Sequence, residues 1–217
     1  MLMPVTISAS ASTWSTRPLR TVVDRVFLGL ADGRLRGDTG EREVPFLNVR
    51  DLQDGHVPPV DAVAKRIVPA NADTERYTVR TGDVVLTCRG TQLRIATITS
   101  ATDGSLISAN LIALRTGPEV LPAVLLAYLQ SSAGTNALLQ RGQSSSMSLS
   151  LTPRAVGEVL IPVPPMEVQQ EIANLVSAAE QNYLSAIRAA EQRRAISRAV
   201  ATEILQGTPR SGQKARA

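Results

Sequence analysis

The chain has 217 residues, 43% of them hydrophobic, which suits one globular domain plus an extension. Its net charge of +4 comes from 23 basic against 19 acidic residues, and only Lys65 and Lys214 are lysines; guanidinium groups suit phosphates and guanine edges, so nucleic-acid binding is permitted but not established by charge, since an arginine-biased genome gives the same excess. Aromatic residues at 3% argue against a stacking platform for single strands, and Cys88, the only cysteine, excludes an internal disulfide and a zinc cluster.

In chain order, MLMPVTISASASTW lacks the basic start and apolar core of a signal peptide. No apolar run approaches the roughly 20 residues needed to span a bilayer, so a cytoplasmic protein without membrane association is expected. Residues to about Arg17 read as a loose arm, and Thr21 to Phe27 as a short strand or helix. Gly29 to Arg42 is a polar loop carrying Arg34 and Arg36. Val44 to Val49 reads as a strand, Asp54-Gly55 as a turn, and Ile67 to Ala70 with Tyr77 to Val79 as short extended pieces. Val84-Val85-Leu86-Thr87 is the clearest strand, followed by the loop Cys88-Arg89-Gly90-Thr91-Gln92 and a second β-branched run, Leu93 to Thr99. Leu106 to Leu114 makes a third strand in what should be a compact mixed sheet. Leu121 to Leu129 is helical, Thr135 to Gln140 is compatible with its extension, and Gln143 to Ser146 is a polar loop before Leu149 to Leu160 returns to the sheet or packs beneath it.

The last quarter differs in kind. From Met166 to Gln206 there is neither glycine nor proline, and about 40 residues at about 1.5 Å each make a helix roughly 60 Å long. Pro165 suits its first turn, Glu167 and Glu171 its positive end, and Gly207 with Pro209 its termination. Ile172, Val176, Ala179, Tyr183, Ala186, Ala190, Ser197, Val200 and Ile204 recur at three- and four-residue steps, with Arg193 interrupting the row. Such spacing is a coiled-coil seam that asks for a partner helix. The expected class is therefore α+β: a compact mixed α/β domain over 1–164, with 1–17 its arm, a spacer helix over 165–207, and a basic tail over 208–217.

The order of segments carries a resemblance. Gly82-Asp-Val-Val-Leu-Thr-Cys-Arg-Gly-Thr91, Ile107-Ser-Ala-Asn-Leu-Ile-Ala-Leu-Arg115, Leu126-Ala-Tyr-Leu-Gln-Ser131 and Ile161-Pro-Val-Pro-Pro-Met-Glu-Val-Gln-Gln-Glu-Ile-Ala173 together resemble the specificity subunit of type I restriction-modification systems, over roughly residues 20 to 207. The resemblance implies a target recognition domain that reads double-stranded DNA and a helix that packs antiparallel against another. Members usually carry two of each, whereas one of each is found here, with no internal repeat. A half-length form is implied, completed as a homodimer or by pairing with another specificity subunit. Its partners would be an adenine methyltransferase subunit and a restriction/translocase subunit, which would hold S-adenosylmethionine, ATP and magnesium; the chain itself would hold none.

Within that pattern, recognition loops enter the grooves. Arg89, Thr91, Gln92 and Arg94 around the central turn are the first DNA-reading candidates, and Arg34, Arg36, Arg50, Gln143, Ser144, Ser145 and Ser146 the second tier. Arg pairs with guanine and Gln with adenine, while Ser and Thr mostly hold phosphate; Arg94, inside an apparent strand, equally suits a structural salt bridge. Catalysis finds no support: His56 is the only histidine, and there is no Gly-x-Ser-x-Gly elbow, phosphate loop or dinucleotide fingerprint. Two other readings stay open, a coiled-coil adaptor without DNA binding and an orphan DNA-binding regulator without methylase partners.

Overall fold

The computed structural model describes residues 14–31, 40–142 and 148–206. In chain order its strands are β1 (Thr16–Pro18), β2 (Val23–Leu28), β3 (Glu41–Leu47), β4 (Lys65–Pro69), β5 (Val84–Thr87), β6 (Arg89–Gly90), β7 (Ile95–Thr97), β8 (Leu106–Ile107), β9 (Leu111–Thr116), β10 (Leu149–Ser150) and β11 (Leu160–Pro162). Its helices are α1 (Pro122–Gln130), α2 (Ser132–Gly142), α3 (Pro153–Gly157) and α4 (Met166–Leu205).

The β-branched and aliphatic runs around Val84 and Leu111 build an antiparallel sheet in the order β2-β9-β5-β7. Successive side chains alternate faces. Val84, Leu86, Ile112 and Leu114 join one apolar cluster, with Val124, Leu125 and Leu129 of α1, Leu138 of α2 and Val156 of α3. Val85, Leu111 and Ala113 join the other, with Leu47, Leu52, Val57 and Val79. All of β5 is buried, as a strand covered on both faces must be. Each fully buried aliphatic side chain here stabilises by about 1.5–3 kcal/mol.

A second sheet, β4-β3-β8, pairs β3 antiparallel with β4 and parallel with β8 over a third cluster of Leu30, Val44, Val68, Tyr77 and Leu106. The strand expected over Leu106 to Leu114 is therefore two strands. It breaks at Ser108, whose N–H donates to Leu47 O (2.9 Å), while Ala109 N–H donates to Leu30 O (2.9 Å), so long-range partners split a continuous apolar run.

Other elements also differ from expectation. The end of the arm is ordered, since Thr16 to Pro18 pair antiparallel with Leu160 to Pro162, and Arg17 forms an ion pair with Glu119. Thr21 to Phe27 resolves into a tight 3-10 turn, Leu19–Thr21, and the strand β2. Tyr77 closes another such turn rather than starting an extended piece, and α2 is a separate helix after a break at Ser131.

The chain divides into two compact units between Ala173 and Asn174. The first two turns of α4 belong to the domain. Gln169, 1% exposed, donates from Nε2 to Glu119 O and Pro164 O and accepts Leu121 N–H at Oε1, each at 2.9 Å. Ile172, expected in the helix-partner row, packs instead against the domain's first cluster. Within the helical unit Val176 is half-buried, and Ala179, Tyr183, Ala186, Ala190, Ser197, Val200 and Ile204 are exposed. The Ser197 hydroxyl bonds back to Arg193 O (2.9 Å). Leu175, Leu184, Ile187, Ile196 and Leu205 are exposed as well, so the apolar surface is broader than the expected row. No described helix is long and apolar enough to cross a membrane. Gly207 and Pro209 lie outside the described residues.

Candidate nucleic-acid interface

The loop after β5 is closed at its base by Thr87, whose N–H donates to Arg94 O (2.9 Å) and whose Oγ1 accepts Arg94 N–H (3.3 Å). Cys88 lies buried beneath it, its N–H on Asn110 O and its carbonyl taking Leu151 N–H, both at 2.8 Å. Burial pushes this thiol up to about 11, partly opposed by the charge of Arg89. A neutral, enclosed thiol is packing, not a nucleophile. The next two residues form β6, where Arg89 pairs with Ser150 and Gly90 with Leu149 of β10. Gly90 stands at φ 133°, a conformation that excludes side chains. This pairing leaves Arg89, Thr91 and Gln92 exposed at the loop surface.

Opposite lies a second loop. Asn48 and Asp51 cap a 3-10 turn, Val49–Asp51, reciprocally. Gln53 and His56 then exchange backbone hydrogen bonds of 2.9 and 2.8 Å around Asp54 and Gly55, at φ 47° and 89°. Gly55 O takes Thr97 N–H (3.1 Å), which ties this turn to β7.

Arg94 joins the two loops. It precedes β7 rather than lying inside it, and its guanidinium donates to Leu52 O (3.1 Å) and Gln92 Oε1 (3.2 Å). Among the described residues it makes no structural salt bridge of the kind weighed from the sequence; its side-chain partners there are a carbonyl and an amide. Between the loops opens a cleft of about 590 Å³, its polar lining supplied by Gln53, Asp54, Gln92, Arg94, Gln130 and Thr135.

Arg50 sits exposed on the neighbouring 3-10 turn, with Nε 3.8 Å from Asp51 Oδ1, and its carbonyl takes a hydrogen bond from Gln53 Nε2 (3.3 Å). The structure thus brings Gln92 and Arg94 into one cleft, with Arg89 and Thr91 on the same loop as Gln92 and Arg50 on the 3-10 turn that precedes the other loop. Arg34, Arg36, Gln143, Ser144, Ser145 and Ser146 lie outside the described residues. Sequence reasoning passed over Gln53, Asp54 and Gln130. Asp54-Gly55 signalled only a turn, and nothing in the sequence brings the end of α1 to the start of β7, where Gln130 Nε2 donates to Ile95 O (3.3 Å).

A second group of guanidinium side chains was also unmarked in the sequence. Arg25 stacks on Phe27 at 4.5 Å and donates to Arg76 O at 3.1 Å; Arg76 stacks on Tyr77 at 4.9 Å, and Arg42 donates to Thr74 Oγ1 at 2.8 Å. None of the three forms an ion pair with a carboxylate among the described residues. Arg115 is different. It grips Asp83, 2% exposed, through Nε at 3.0 Å and a second N–H at 2.8 Å, and these hydrogen bonds raise its pKa further above the ordinary arginine value. That pair is scaffold. No group of three metal-ligating side chains occurs among the described residues.

No family model and no curated protein matches the chain, but solved structures do. It is similar to the HsdS subunit from Thermoanaerobacter tengcongensis, at 19% identity and TM-score 0.58, covering 95% of this chain and 52% of that one. It is also similar to a chain from a structure on complex assembly and conformational transition of the type I R-M system, at 23% identity and TM-score 0.57, covering 94% and 47%. A third similar structure is the type I restriction-modification S subunit from M. genitalium, at 13% identity and TM-score 0.56, covering 90% and 46%. The chain therefore has the fold of type I restriction-modification specificity subunits over nearly its whole length, while spanning about half the length of the structures it matches.

Proposed function

We propose that this chain is a non-catalytic specificity unit that reads duplex DNA and directs methyltransferase and restriction subunits to a two-part site. The observation that carries the reading is the fold, shared with specificity subunits through both the domain and the start of the long helix. The polar cleft between two exposed loops, lined by Gln92 and Arg94 with Arg50, Arg89 and Thr91 on the elements beside it, offers groups suited to base reading. Arg25, Arg42 and Arg76 supply charge suited to phosphates.

The helix supports pairing with a second copy. Glu167, Glu171 and Glu180 stand in a first half without basic residues, whereas the second carries Arg188, Arg193, Arg194 and Arg198 against Glu191 and Glu203, a net positive charge. Antiparallel pairing sets acidic half against basic half; parallel pairing opposes like charges. An antiparallel pair about a two-fold axis buries Tyr183, Val200, Ile204 and the large apolar side chains beside them, and presents two recognition domains to a palindromic site. Half-sites about 34 Å apart, one turn of the duplex, suit such a spacer.

DNA affinity measured against salt tests the reading. Neutralising about six phosphates predicts a loss of about 10³ between about 50 and 200 mM salt. A protein that retains no duplex affinity at low salt would be an adaptor instead.

A further inference from the structure

The hydrogen bonds already made around the cleft fix what each side chain has left to offer. Arg94 carries N–H donors only, so the Gln92 amide must turn Oε1 toward it (3.2 Å), leaving the Gln92 NH2 as a donor. Leu52 O takes another Arg94 N–H (3.1 Å), and a guanidinium has five. Arg94 therefore presents donors alone, and Gln92 sets its amide N–H groups beside them. The other polar groups of the cleft bring acceptors. Gln53 commits one N–H to Arg50 O and Gln130 one to Ile95 O, both at 3.3 Å, so each offers Oε1 as an acceptor beside one remaining N–H. The Asp54 carboxylate brings acceptors. Gln53, Asp54, Gln92 and Gln130 are exposed, and Arg94 is partly so.

This divided array does not suit a phosphate, which would meet a carboxylate and two amide oxygens. It suits a base pair. In the major groove a G·C pair shows two adjacent acceptors, guanine N7 and O6, and then one donor, cytosine N4–H2; an A·T pair sets a donor between its acceptors and adds a methyl group. Resting on the reading of this domain as a duplex-DNA reader, we propose that the cleft reads one G·C pair, with Gln92 and Arg94 donating to guanine and Asp54 accepting from cytosine N4.

The test is selection from random-sequence duplexes by the full chain, wild type beside Gln92→Glu and Asp54→Asn. The first variant keeps an oxygen for Arg94 while replacing the free donor by an acceptor. The second suits the left-handed backbone at this position. Wild type is expected to enrich a motif containing a G·C pair, and each variant to retain the rest of the motif while losing about tenfold or more of the preference at that pair. On the wild-type motif, 7-deazaguanine, which lacks N7, should weaken binding by about tenfold at that one guanine, whereas inosine, which keeps N7 and O6, should not. Variants that enrich the wild-type motif unchanged, or 7-deazaguanine without effect at every guanine, overturn the proposal and leave DNA reading intact. A wild-type chain that enriches no motif overturns the DNA reading itself.

Discussion

Replacing Gln169 by leucine is expected to destabilise the domain by roughly 3 kcal/mol, although no charge and almost no volume is lost. The Gln169 amide is fully engaged, donating to Pro164 O and Glu119 O and accepting from Leu121 N–H, all at 2.9 Å. The bond to Pro164 is buried and the other two are partly so. An orphaned buried partner costs about 1–3 kcal/mol, and a bond that water can partly replace about 0.5–1.5 kcal/mol. At about 2–4 °C per kcal/mol for a chain of this size, the melting temperature should fall by about 6–12 °C. Urea unfolding followed by circular dichroism, with an unchanged m-value, measures it. Gln169→Glu should cost at least as much, because a carboxylate would face two carbonyl oxygens. Gln192→Leu, at an exposed site on the same helix, should stay within about 0.5 kcal/mol. A Gln169→Leu loss below about 1 kcal/mol would refute the view that this side chain fastens the start of the helix to the domain.

Three further outcomes follow from the same geometry. Asp83→Ala leaves the Arg115 guanidinium without its carboxylate and should cost about 3–5 kcal/mol in unfolding free energy. Cys88 has a folded pKa of about 11 against an ordinary 9.0, so the unfolded chain loses this proton first; stability present below pH 9 should decline by about 2–3 kcal/mol as pH rises to about 11, and Cys88→Ala should remove that part of the slope. Val200→Asp combined with Ile204→Asp, both at exposed helix positions, should convert the proposed dimer to a monomer in light scattering without lowering the melting temperature of the domain.

The long helix was legible because its signal is local: a run free of glycine and proline with a repeating apolar step. β5 was legible for the same reason, as Val84 to Thr87 is a short β-branched run between turn residues. What the sequence hid depends on distant partners. Leu106 to Leu114 looks like one strand until Leu30 and Leu47 claim the backbone at Ser108 and Ala109. Thr16 to Pro18 looks like an arm until Leu160 to Pro162 pairs with it. The candidate site divides along the same line. Arg89, Thr91 and Gln92 could be chosen from their own loop, but Gln53, Asp54 and Gln130 enter the cleft only through the fold. Gln169 was read as part of a family segment, and its burial explains why a glutamine belongs there. Ile172 fits the helical repeat as well as Val176 does, yet the domain core takes it.

Mapping methylated adenines in cells with and without this chain tests its proposed role as a DNA-reading specificity unit most directly. A two-part, palindromic motif that is methylated only when the chain is present is the expected result. A methylation pattern unchanged by its removal would contradict that role.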